Sequence, residues 1–448
     1  MFIANFLGIK TIPAKAQRLI GRFLFLSILG AFLGNLSSTF FILFAIDKIG
    51  FVQASIVMSI MLFVQLITDY PSGSLGDWIG QRWVLVISFS CYAISYYLLT
   101  TAETFTNFLV LAFFNGLANA QASGTLATWL DNNYQSVVEE ADPERKIYGF
   151  SMARIGSMNR IVMAIAFVTG GTMATLMSRQ FVFFVQAAMS TILIIIALAL
   201  VRDVKTPTID QMDKKKTSLM DYLGFLKGGI AFLVSSKTAF FFIVGTSIIF
   251  AAFNVWGTLL LFPIYFGYTG SDQLASIFRT VMYFIGIPIA IYMAKVSKRF
   301  VNDTVPHFYI IGLLCYFLPF IVLLTLLPAT NTINLLGIVI TALVLTFANN
   351  VLLDVAETLR RRTMLDLVPS ENRNAVYSLI PTLISIIAIP LLPIAGMLIN
   401  DYGFTAGIIV SLVTSLVGAS FVFLSLHFKK KSMTAIDKQS LIEEGIPS

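Results

Sequence analysis

The sequence is poor in charge, in cysteine and in histidine. Only 12% of its 448 residues are charged, about half of the roughly 25% that a soluble domain usually carries. Two Cys residues are too few for a disulfide framework, and the two His residues offer no metal site. These shortages exclude an ordinary soluble domain and a disulfide-rich secreted protein, and no metal is expected.

Apolar residues are abundant instead. They make up 57% of the chain, Phe alone contributes 40 residues, and the mean hydropathy is +0.85. A bilayer core about 30 Å thick needs roughly 20 apolar residues in a helix. The apolar runs therefore predict an all-α polytopic membrane protein with twelve transmembrane helices. The predicted spans are 19–46, 51–76, 83–103, 106–131, 146–175, 180–201, 239–266, 272–296, 307–327, 332–357, 374–399 and 403–428.

Lys and Arg are distributed unevenly between the predicted loops. With a cytoplasmic amino terminus, the outer loops hold only Lys48 and Arg179, three arginines lie within spans, and the other 25 of the 30 basic residues lie at the inner face. Basic residues concentrate in cytoplasmic loops. The pattern predicts a multi-pass protein of the cell membrane with both termini cytoplasmic. It also assigns the net charge of +7 to membrane orientation, and no nucleic acid partner is expected.

A long polar stretch between spans 6 and 7 divides the chain in two. It contains Lys214–Lys216 and then an amphipathic segment, 219–227, which is expected to lie on the inner membrane surface. The spacing of Asp131 and Pro143 recurs in Glu357 and Pro369, as related halves would leave. The predicted organisation is an N-terminal six-span bundle (1–201), a cytoplasmic linker (202–238), a C-terminal six-span bundle (239–428) and a cytoplasmic tail (429–448).

The segment between spans 2 and 3 carries the clearest motif. It reads Gly73-Ser74-Leu75-Gly76-Asp77-Trp78-Ile79-Gly80-Gln81-Arg82-Trp83. Gly73 and Gly80 allow a sharp turn and a close approach of helices. The Asp77 carboxylate suits the partial positive charge at a helix amino terminus.

This segment is similar to the signature loop of the major facilitator superfamily. Gly73, Asp77, Gly80 and Arg82 match that loop, whereas other residues replace two of its usual basic positions. The resemblance implies two six-helix bundles around a central solute site. It also implies that the four matching residues form a conformational switch, with Asp77 near the start of span 11.

Two further segments resemble drug-efflux-like members of that superfamily. One is Asp69-Tyr70-Pro71-Ser72-Gly73, and the other is the Ser-Gly-rich end of span 4 from Ser123 to Asp131. Span 5 contains Gly156 and Gly170-Gly171 but lacks the Gly-Pro pair of proton-coupled drug antiporters. The drug-efflux-like subgroup is thus the nearest resemblance, with one departure from its pattern.

Charged residues inside predicted spans are candidates for function because a charge in the bilayer centre costs several kcal/mol, about 2.5–3.5 on insertion scales. Arg160 in span 5 and Arg279 in span 8 have no carboxylate at the same depth, so we expect them to bind an anionic group of the substrate. Pairing with backbone groups, snorkelling and a latch between the halves are the alternatives.

Four carboxylates lie in the inner third of their spans and are candidates for a gate or for proton coupling. They are Asp69, Asp131, Asp354 and Glu357. Asp354 and Glu357 share a helix face, and three arginines follow them. Among the uncharged residues within spans, Asn119, Asn254 and Trp256 lie nearest to the middle and are predicted to contact substrate.

No nucleophile and base pair, cofactor loop or metal cluster is evident in the sequence, so no enzyme and no cofactor are expected. The predicted function is secondary active or facilitative transport of a small organic solute, anionic or amphipathic, by alternating access. A proton-coupled multidrug exporter, a lipid or lysolipid mover, and a sensor without transport are the alternatives. The predicted partners are the solute, the lipid bilayer and, in the coupled alternative, a proton; the protein is expected to be a monomer.

Overall fold

The computed structural model describes residues 2–138, 141–202, 230–369 and 373–443. Within these ranges, side chains are described except at 2–3, 70–74, 77–78, 135, 374–375, 378 and 430–443. Lys214–Lys216 and the predicted amphipathic segment 219–227 lie outside the described residues. Inner and outer denote the two sides of the membrane as the charge distribution predicts them.

All regular structure in the described ranges is helical. The α-helices are α1 (Phe2–Leu7), α2 (Ala14–Asn35), α3 (Phe41–Ile79), α4 (Gln81–Thr101), α5 (Phe105–Ala122), α6 (Thr125–Val138), α7 (Lys146–Leu176), α8 (Arg179–Leu200), α9 (Lys237–Val255), α10 (Leu261–Thr269), α11 (Asp272–Val296), α12 (Val305–Leu326), α13 (Leu335–Val344), α14 (Asp354–Leu367), α15 (Arg373–Tyr402) and α16 (Phe404–Glu443). Two π-helical turns, Trp256–Leu260 and Leu345–Leu353, join α9 to α10 and α13 to α14.

Eleven helical stretches of the described residues are long and apolar enough to cross a membrane. They correspond to every predicted span except span 4, which runs through α5 and α6. That span is interrupted at Ser123-Gly124, where Gly124 has a φ of +72°. Span 4 is therefore two helices in series, and the chain is an all-α membrane protein.

The backbone leaves regular α-helix in spans 1, 4, 7 and 10. In span 1, the residues between the end of α2 at Asn35 and the start of α3 at Phe41 are not helical; we call them the open segment of span 1. Span 4 breaks at Gly124, and spans 7 and 10 contain the two π turns near the middle of their 33-residue stretches. Every third span, counted from the first, thus carries an irregular segment. At membrane depth such segments persist only where protein buries them or where they line a water-filled space.

Contacts divide the chain into two compact units, Met1–Thr217 with Thr269–Thr280, and Ser218–Tyr268 with Val281–Ser448. The first unit contains the outer end of α11, although this helix follows the polar linker in sequence. The predicted domain boundaries, with a linker at 202–238 that lies mostly outside the described residues, stay a prediction.

Small residues set the helix packing inside the first unit. There α2 packs on α7, α3 on α5, and α4 on α5 and α8. A side-chain carbon added at Gly170 of α7 would lie 1.8 Å from the carbonyl oxygen of Leu36, in the open segment of span 1. Lipid is as apolar as the helix surfaces, so close backbone approach is a main source of helix association in membranes. Gly170 therefore permits the contact between span 5 and the break in span 1.

The second unit is built in the same way around α9, which packs on α15 and α16. A carbon added at Gly245 of α9 would lie 2.6 Å from the carbonyl oxygen of Gly418 in α16. A carbon added at Gly418 would likewise lie 2.6 Å from the carbonyl oxygen of Gly245. The two backbones therefore cross almost in contact. An aromatic cluster around Trp256, Tyr316 and Phe320 fills the space between α9, its π turn and α12.

The structure corrects the predicted turn at Gly73. Helix α3 continues through this position to Ile79, and the chain turns at Gly80, which has a φ of +91°. Spans 4, 10 and 12 also run on as helix to Val138, Leu367 and Glu443. Hydropathy locates only the apolar part of a helix, whereas the backbone hydrogen bonds continue into the polar part.

We predict that Gly170→Ala lowers the thermal stability of the detergent-solubilised protein strongly. The added carbon cannot be accommodated beside the Leu36 carbonyl without backbone movement, and overpacking of this kind costs about 1–3 kcal/mol. Gly156→Ala on the same helix is the control, because nothing lies within 4 Å of the added carbon. Equal melting temperatures for the two variants would contradict the packing described here.

Candidate functional site

The signature segment is anchored through Arg82. Its Nη2 donates to the carbonyl oxygen of Leu198, near the end of α8, at 2.5 Å. Gln81 is buried, and a carbon added at Gly76 would lie 2.4 Å from its side chain. The side chain of Asp77 and the surroundings of Gly73 lie outside the described residues. The switch role of Gly73, Asp77, Gly80 and Arg82 thus stays a prediction.

A charged cluster in the first unit joins the outer end of α11 to α8. Arg179, at the start of α8, donates from Nε and Nη2 to the two carboxylate oxygens of Asp272, at 2.8 and 2.9 Å. Its Nη1 donates to Asp47. Asp272 and Arg179 are almost buried, with side chains 9% and 14% exposed, whereas Asp47 is 63% exposed. Bidentate pairing of this type fixes orientation as well as charge.

The same end of α11 is bonded to span 5. A carbon added at Gly171 of α7 would lie 2.3 Å from the Ser276 hydroxyl. The backbone N–H of Gln273 donates to Thr175, and the Thr280 hydroxyl donates to the carbonyl oxygen of Ala164. Together with the Arg179 cluster, these contacts hold residues 272–280 firmly within the first unit. We call Asp47, Arg179 and Asp272 the outer cluster.

Arg279 belongs to this packed region. Its Nη1 donates to the hydroxyl groups of Ser38 and Thr39, at 2.8 and 3.1 Å, in the open segment of span 1. Its guanidinium carbon lies 3.6 Å from the centre of the Phe167 ring, which is a cation–π contact. Arg279 is therefore occupied with protein groups. Its predicted role in binding a substrate anion stays a prediction.

Arg160 is in a different situation. It is exposed, and it makes no hydrogen bond or ion pair with the residues that the structure describes. It lies on a stripe of α7 in which residues recur at intervals of four and three. The members of the stripe are Ala153, Ser157, Arg160, Ala164, Phe167 and Gly171. The outer three members are buried and the inner three are exposed.

The stripe fixes the direction in which Arg160 points. Residues spaced by three and four share one helix face, so Arg160 faces the same way as Phe167, one to two turns further out. Phe167 and Gly171 face protein, namely the outer end of α11. Long helical side chains also lean toward the amino terminus, which takes the guanidinium further into the exposed part of the stripe.

Asn119 lies in a hydrogen-bond ladder between α4 and α5. The Tyr92 hydroxyl donates to its Oδ1 at 2.7 Å, and its Nδ2 donates to Asn115 at 2.8 Å. Asn115 in turn donates to Ser95 at 3.4 Å. Such bonds join membrane helices. Asn119 is half-buried, and its role as a substrate contact stays a prediction.

Trp256 and Asn254 lie at the π turn of span 7. Trp256 is 2% exposed, its indole N–H donates to the Tyr316 hydroxyl at 2.9 Å, and aromatic rings surround it. It is a core residue of the second unit, so the geometry argues against direct contact with substrate. Asn254 is half-buried and accepts from Thr258 at 3.4 Å, and its predicted role is untested.

The four candidate carboxylates have different surroundings. Glu357 is paired with Arg360 and Arg361, at 2.6 and 2.9 Å. Asp131 accepts from the Tyr148 hydroxyl of α7. Asp69 shares a side-chain hydrogen bond with Ser123, at the break in span 4. The half-buried Asp354 carboxylate makes no hydrogen bond or ion pair with the described residues.

The loop between α6 and α7 is organised by Asp142. Burial alone would raise the pKa of this carboxyl, but the N–H groups of Tyr148 and Ile147 and the Tyr134 hydroxyl donate to it, so that the pKa lies below its usual range. The ionised side chain caps the amino terminus of α7. In the part of the chain that the structure describes, no group of three or more His, Cys, Asp or Glu could hold a metal ion.

Sequence reasoning missed the outer cluster and both π turns. Arg179 and Asp272 are each the first residue of a helix, where a charge is unremarkable in a single sequence. Nothing in the sequence predicted that these two residues form a pair, because 93 residues separate them. The π turns have no residue signature beyond polar amides in otherwise apolar spans.

The helical layout defines an integral multi-pass membrane protein, and comparison with known proteins gives its family. The sequence matches the Major Facilitator Superfamily over residues 21–364, more than half of the chain. The chain therefore belongs to the major facilitator superfamily, whose members are transporters and not enzymes. This confirms the predicted fold class, an all-α polytopic membrane protein with the major facilitator fold.

Among solved structures, the chain is similar to the nucleoside transporter NupG. The crystal structure of that protein shares 16% sequence identity with this chain, covers 92% of it and 99% of its own chain, and gives a TM-score of 0.68. A mutant of the same transporter has the same identity and coverage and a TM-score of 0.69. At this identity the likeness shows the fold alone. No curated protein matches the sequence.

We predict that Asp272→Asn destabilises the outer cluster much more than Asp47→Asn does. Asp272 is the buried partner of Arg179, and removing one member of a buried pair costs about 3–5 kcal/mol. The exposed Asp47 is expected to contribute about 1 kcal/mol or less. The measurement is the melting temperature of each variant.

Thiol labelling gives a second measurement of the same prediction. Ser276 is buried beside Gly171, so Ser276→Cys in a background with Cys91→Ala and Cys315→Ala reports whether this contact opens. An impermeant reagent added outside should react faster when Asp272→Asn is present. Equal labelling rates with Asp272→Asn and Asp47→Asn would show that the bidentate pair does not hold the contact.

Proposed function

We propose that this protein carries a small organic solute with an anionic group across the cell membrane, by alternating access. The observation that supports the proposal is the exposed Arg160, on the same face of α7 that is buried further out. Transport of this kind is secondary active or facilitative. Arg160 is the residue that we expect to bind the anionic group.

A cation inside a membrane span carries an energetic cost. An arginine facing lipid at this depth is unfavourable by several kcal/mol, about 2.5–3.5 on insertion scales. The helix face that carries Arg160 packs on protein above it, so its direction is toward protein and not toward lipid. A water-filled space on that side, with an anionic ligand, satisfies the charge.

The chemistry of the side chain favours a carboxylate or phosphate. A guanidinium presents parallel N–H donors that match two oxygens at once. Ser157 lies one turn closer to the inner side on the same stripe, and nothing within 4 Å fills the space at Gly156. The exposed part of the stripe thus offers room for a ligand beside the charge.

Proton coupling is the second candidate, and Asp354 favours it. A coupling carboxylate must change its charge during the cycle, and a carboxylate held by two arginines, such as Glu357, is poorly suited to do so. The carboxylate of Asp354, one turn earlier in span 10, makes no hydrogen bond or ion pair with the described residues. If transport is proton-coupled, we propose Asp354 as the coupling residue.

The remaining features are proposed as predicted from the sequence. They are a location in the cell membrane, cytoplasmic termini, a monomeric state and membership of the drug-efflux-like subgroup. A neutral nucleoside is a further candidate substrate because NupG is a nucleoside transporter. A nucleoside and its monophosphate differ by an anionic group, so this pair separates that candidate from the proposal.

We predict that Arg160→Gln weakens binding of anionic solutes by about tenfold to a hundredfold, because a charge-assisted hydrogen bond contributes roughly 1.5–3 kcal/mol. Thermal-shift titration of the purified protein with nucleosides, their monophosphates and small carboxylates measures the effect. Arg160→Lys should retain part of the affinity, because lysine keeps the positive charge but lacks the parallel N–H donors of the guanidinium.

Arg154→Gln is the matched control for this prediction. Arg154 is an arginine of the same helix, but its guanidinium lies 4.2 Å from the centre of the Phe150 ring and donates to the carbonyl oxygen of Phe6. It should affect stability and leave anion selectivity unchanged. Equal affinity for neutral and anionic partners in the wild-type protein would contradict the proposal, and flux of lysolipid alone would favour a lipid mover.

For proton coupling, we predict that Asp354→Asn abolishes accumulation driven by a pH gradient but leaves solute exchange intact. The neutral amide cannot take up or release a proton, whereas the exchange reaction needs no net proton movement. Proteoliposome uptake with and without a pH gradient is the measurement. Glu357→Gln is the comparison, and it should impair folding or both reactions together, because it leaves Arg360 without its partner.

A further inference from the structure

We propose that Asn349 and Asn350 form a specificity subsite for a neutral group of the substrate in which a hydrogen-bond donor and an acceptor are adjacent, such as a lactam edge. The proposal rests on the transport function proposed above and goes beyond it. It concerns the second unit, whereas Arg160 lies in the first.

The two amides satisfy each other only in part. Asn349 Nδ2 donates to Asn350 Oδ1 at 2.9 Å. The carbonyl group of Asn349 and the amino group of Asn350 have no partner among the residues that the structure describes. If the roles of the two amides are exchanged, the amino group of Asn349 and the carbonyl group of Asn350 are unused instead. In either arrangement one amino group and one carbonyl group, on adjacent residues, remain without a partner among the described residues.

Their position makes contact with lipid unfavourable. Both residues lie near the middle of the 33-residue stretch Leu335–Leu367, inside the π turn, and both are half-exposed. An amide group that enters an apolar medium without partners loses several kcal/mol, roughly 2–7 depending on the reference state. Segments of π-helix occur preferentially at functional sites. We infer that these amide groups face a space that admits polar solutes.

Gly286 on α11 leaves the space that the Asn350 side chain occupies. A carbon added at Gly286 of α11 would lie 3.1 Å from Asn350 Nδ2 and 3.3 Å from its Oδ1. Any larger residue at 286 would press on the amide and shift it. Other glycines within spans, such as Gly30 of α2, have nothing within 4 Å of an added carbon.

The unused groups select a neutral ligand group. A carboxylate would meet the unused amino group of Asn350 but also the repelling Asn349 carbonyl, and an ammonium group would meet the unused carbonyl group of Asn349 but also the repelling Asn350 amino group. An N–H next to a C=O, as in a lactam or carboxamide, matches both. A site built to hydrogen-bond a ligand discriminates against an analogue that lacks the bonding groups.

The experiment uses two pairs of anionic probes that differ in a lactam. They are orotate against benzoate, and pyroglutamate against cyclopentanecarboxylate. Binding to the full-length purified protein in nanodiscs is measured by calorimetry. We expect at least one lactam-containing probe to bind about tenfold more tightly than its partner, as two added hydrogen bonds would give. If the wild-type protein binds the two members of each pair with equal affinity, the proposal is overturned.

Variants separate the subsite from the anion site and from general loss of folding. Asn349→Leu and Asn350→Leu should remove the preference for the lactam, and Gly286→Ala should reduce it at least threefold. Gly30→Ala should leave it unchanged. Arg160→Gln should leave the preference for the lactam unchanged, so that failure of the anion proposal is distinguishable. A preference that persists in Asn350→Leu and Gly286→Ala would overturn the subsite.

Discussion

The bilayer allows a backbone to leave the α-helix only where its freed polar groups find other partners. In the described residues such departures inside spans are concentrated in spans 1, 4, 7 and 10. The open segment of span 1 is supported by Gly170 and by the hydrogen bonds of Arg279 to Ser38 and Thr39. The π turn of span 10 carries the paired amides. The constraint on the backbone thus places polar chemistry at the same few positions where the helices are interrupted.

The two arginines show how local partners decide the role of a buried charge. Both lie within spans, and both looked alike as candidates for anion binding. Arg279 is held by two hydroxyl groups and an aromatic ring, which makes it a structural tie. Arg160 has the same chemistry without such partners among the described residues. This difference in partners is the reason that anion binding is proposed for Arg160 and not for Arg279.

Composition and charge were sufficient to predict the fold class, because a helix that crosses lipid must be long, apolar and flanked by basic residues on one side. The family followed from Gly73, Asp77, Gly80 and Arg82 in their expected place. The ion pair between Arg179 and Asp272 could not be predicted. The two residues are 93 positions apart, and one sequence does not show which helices are neighbours. The turn expected at Gly73 was wrong because glycine permits a turn without requiring one. The aromatic surroundings of Trp256 were also beyond prediction, because depth in the membrane does not reveal whether a ring faces a cavity or a core.

The crossing of Gly245 and Gly418 has a consequence for what span 7 tolerates. The two backbones leave no room for a side chain between them, so any larger residue at either position would push α9 and α16 apart. The π turn at Trp256–Leu260 lies beyond the crossing and separates it from α10. One span thus combines a segment in which only glycine fits with a segment in which the α-helical hydrogen-bond pattern is interrupted.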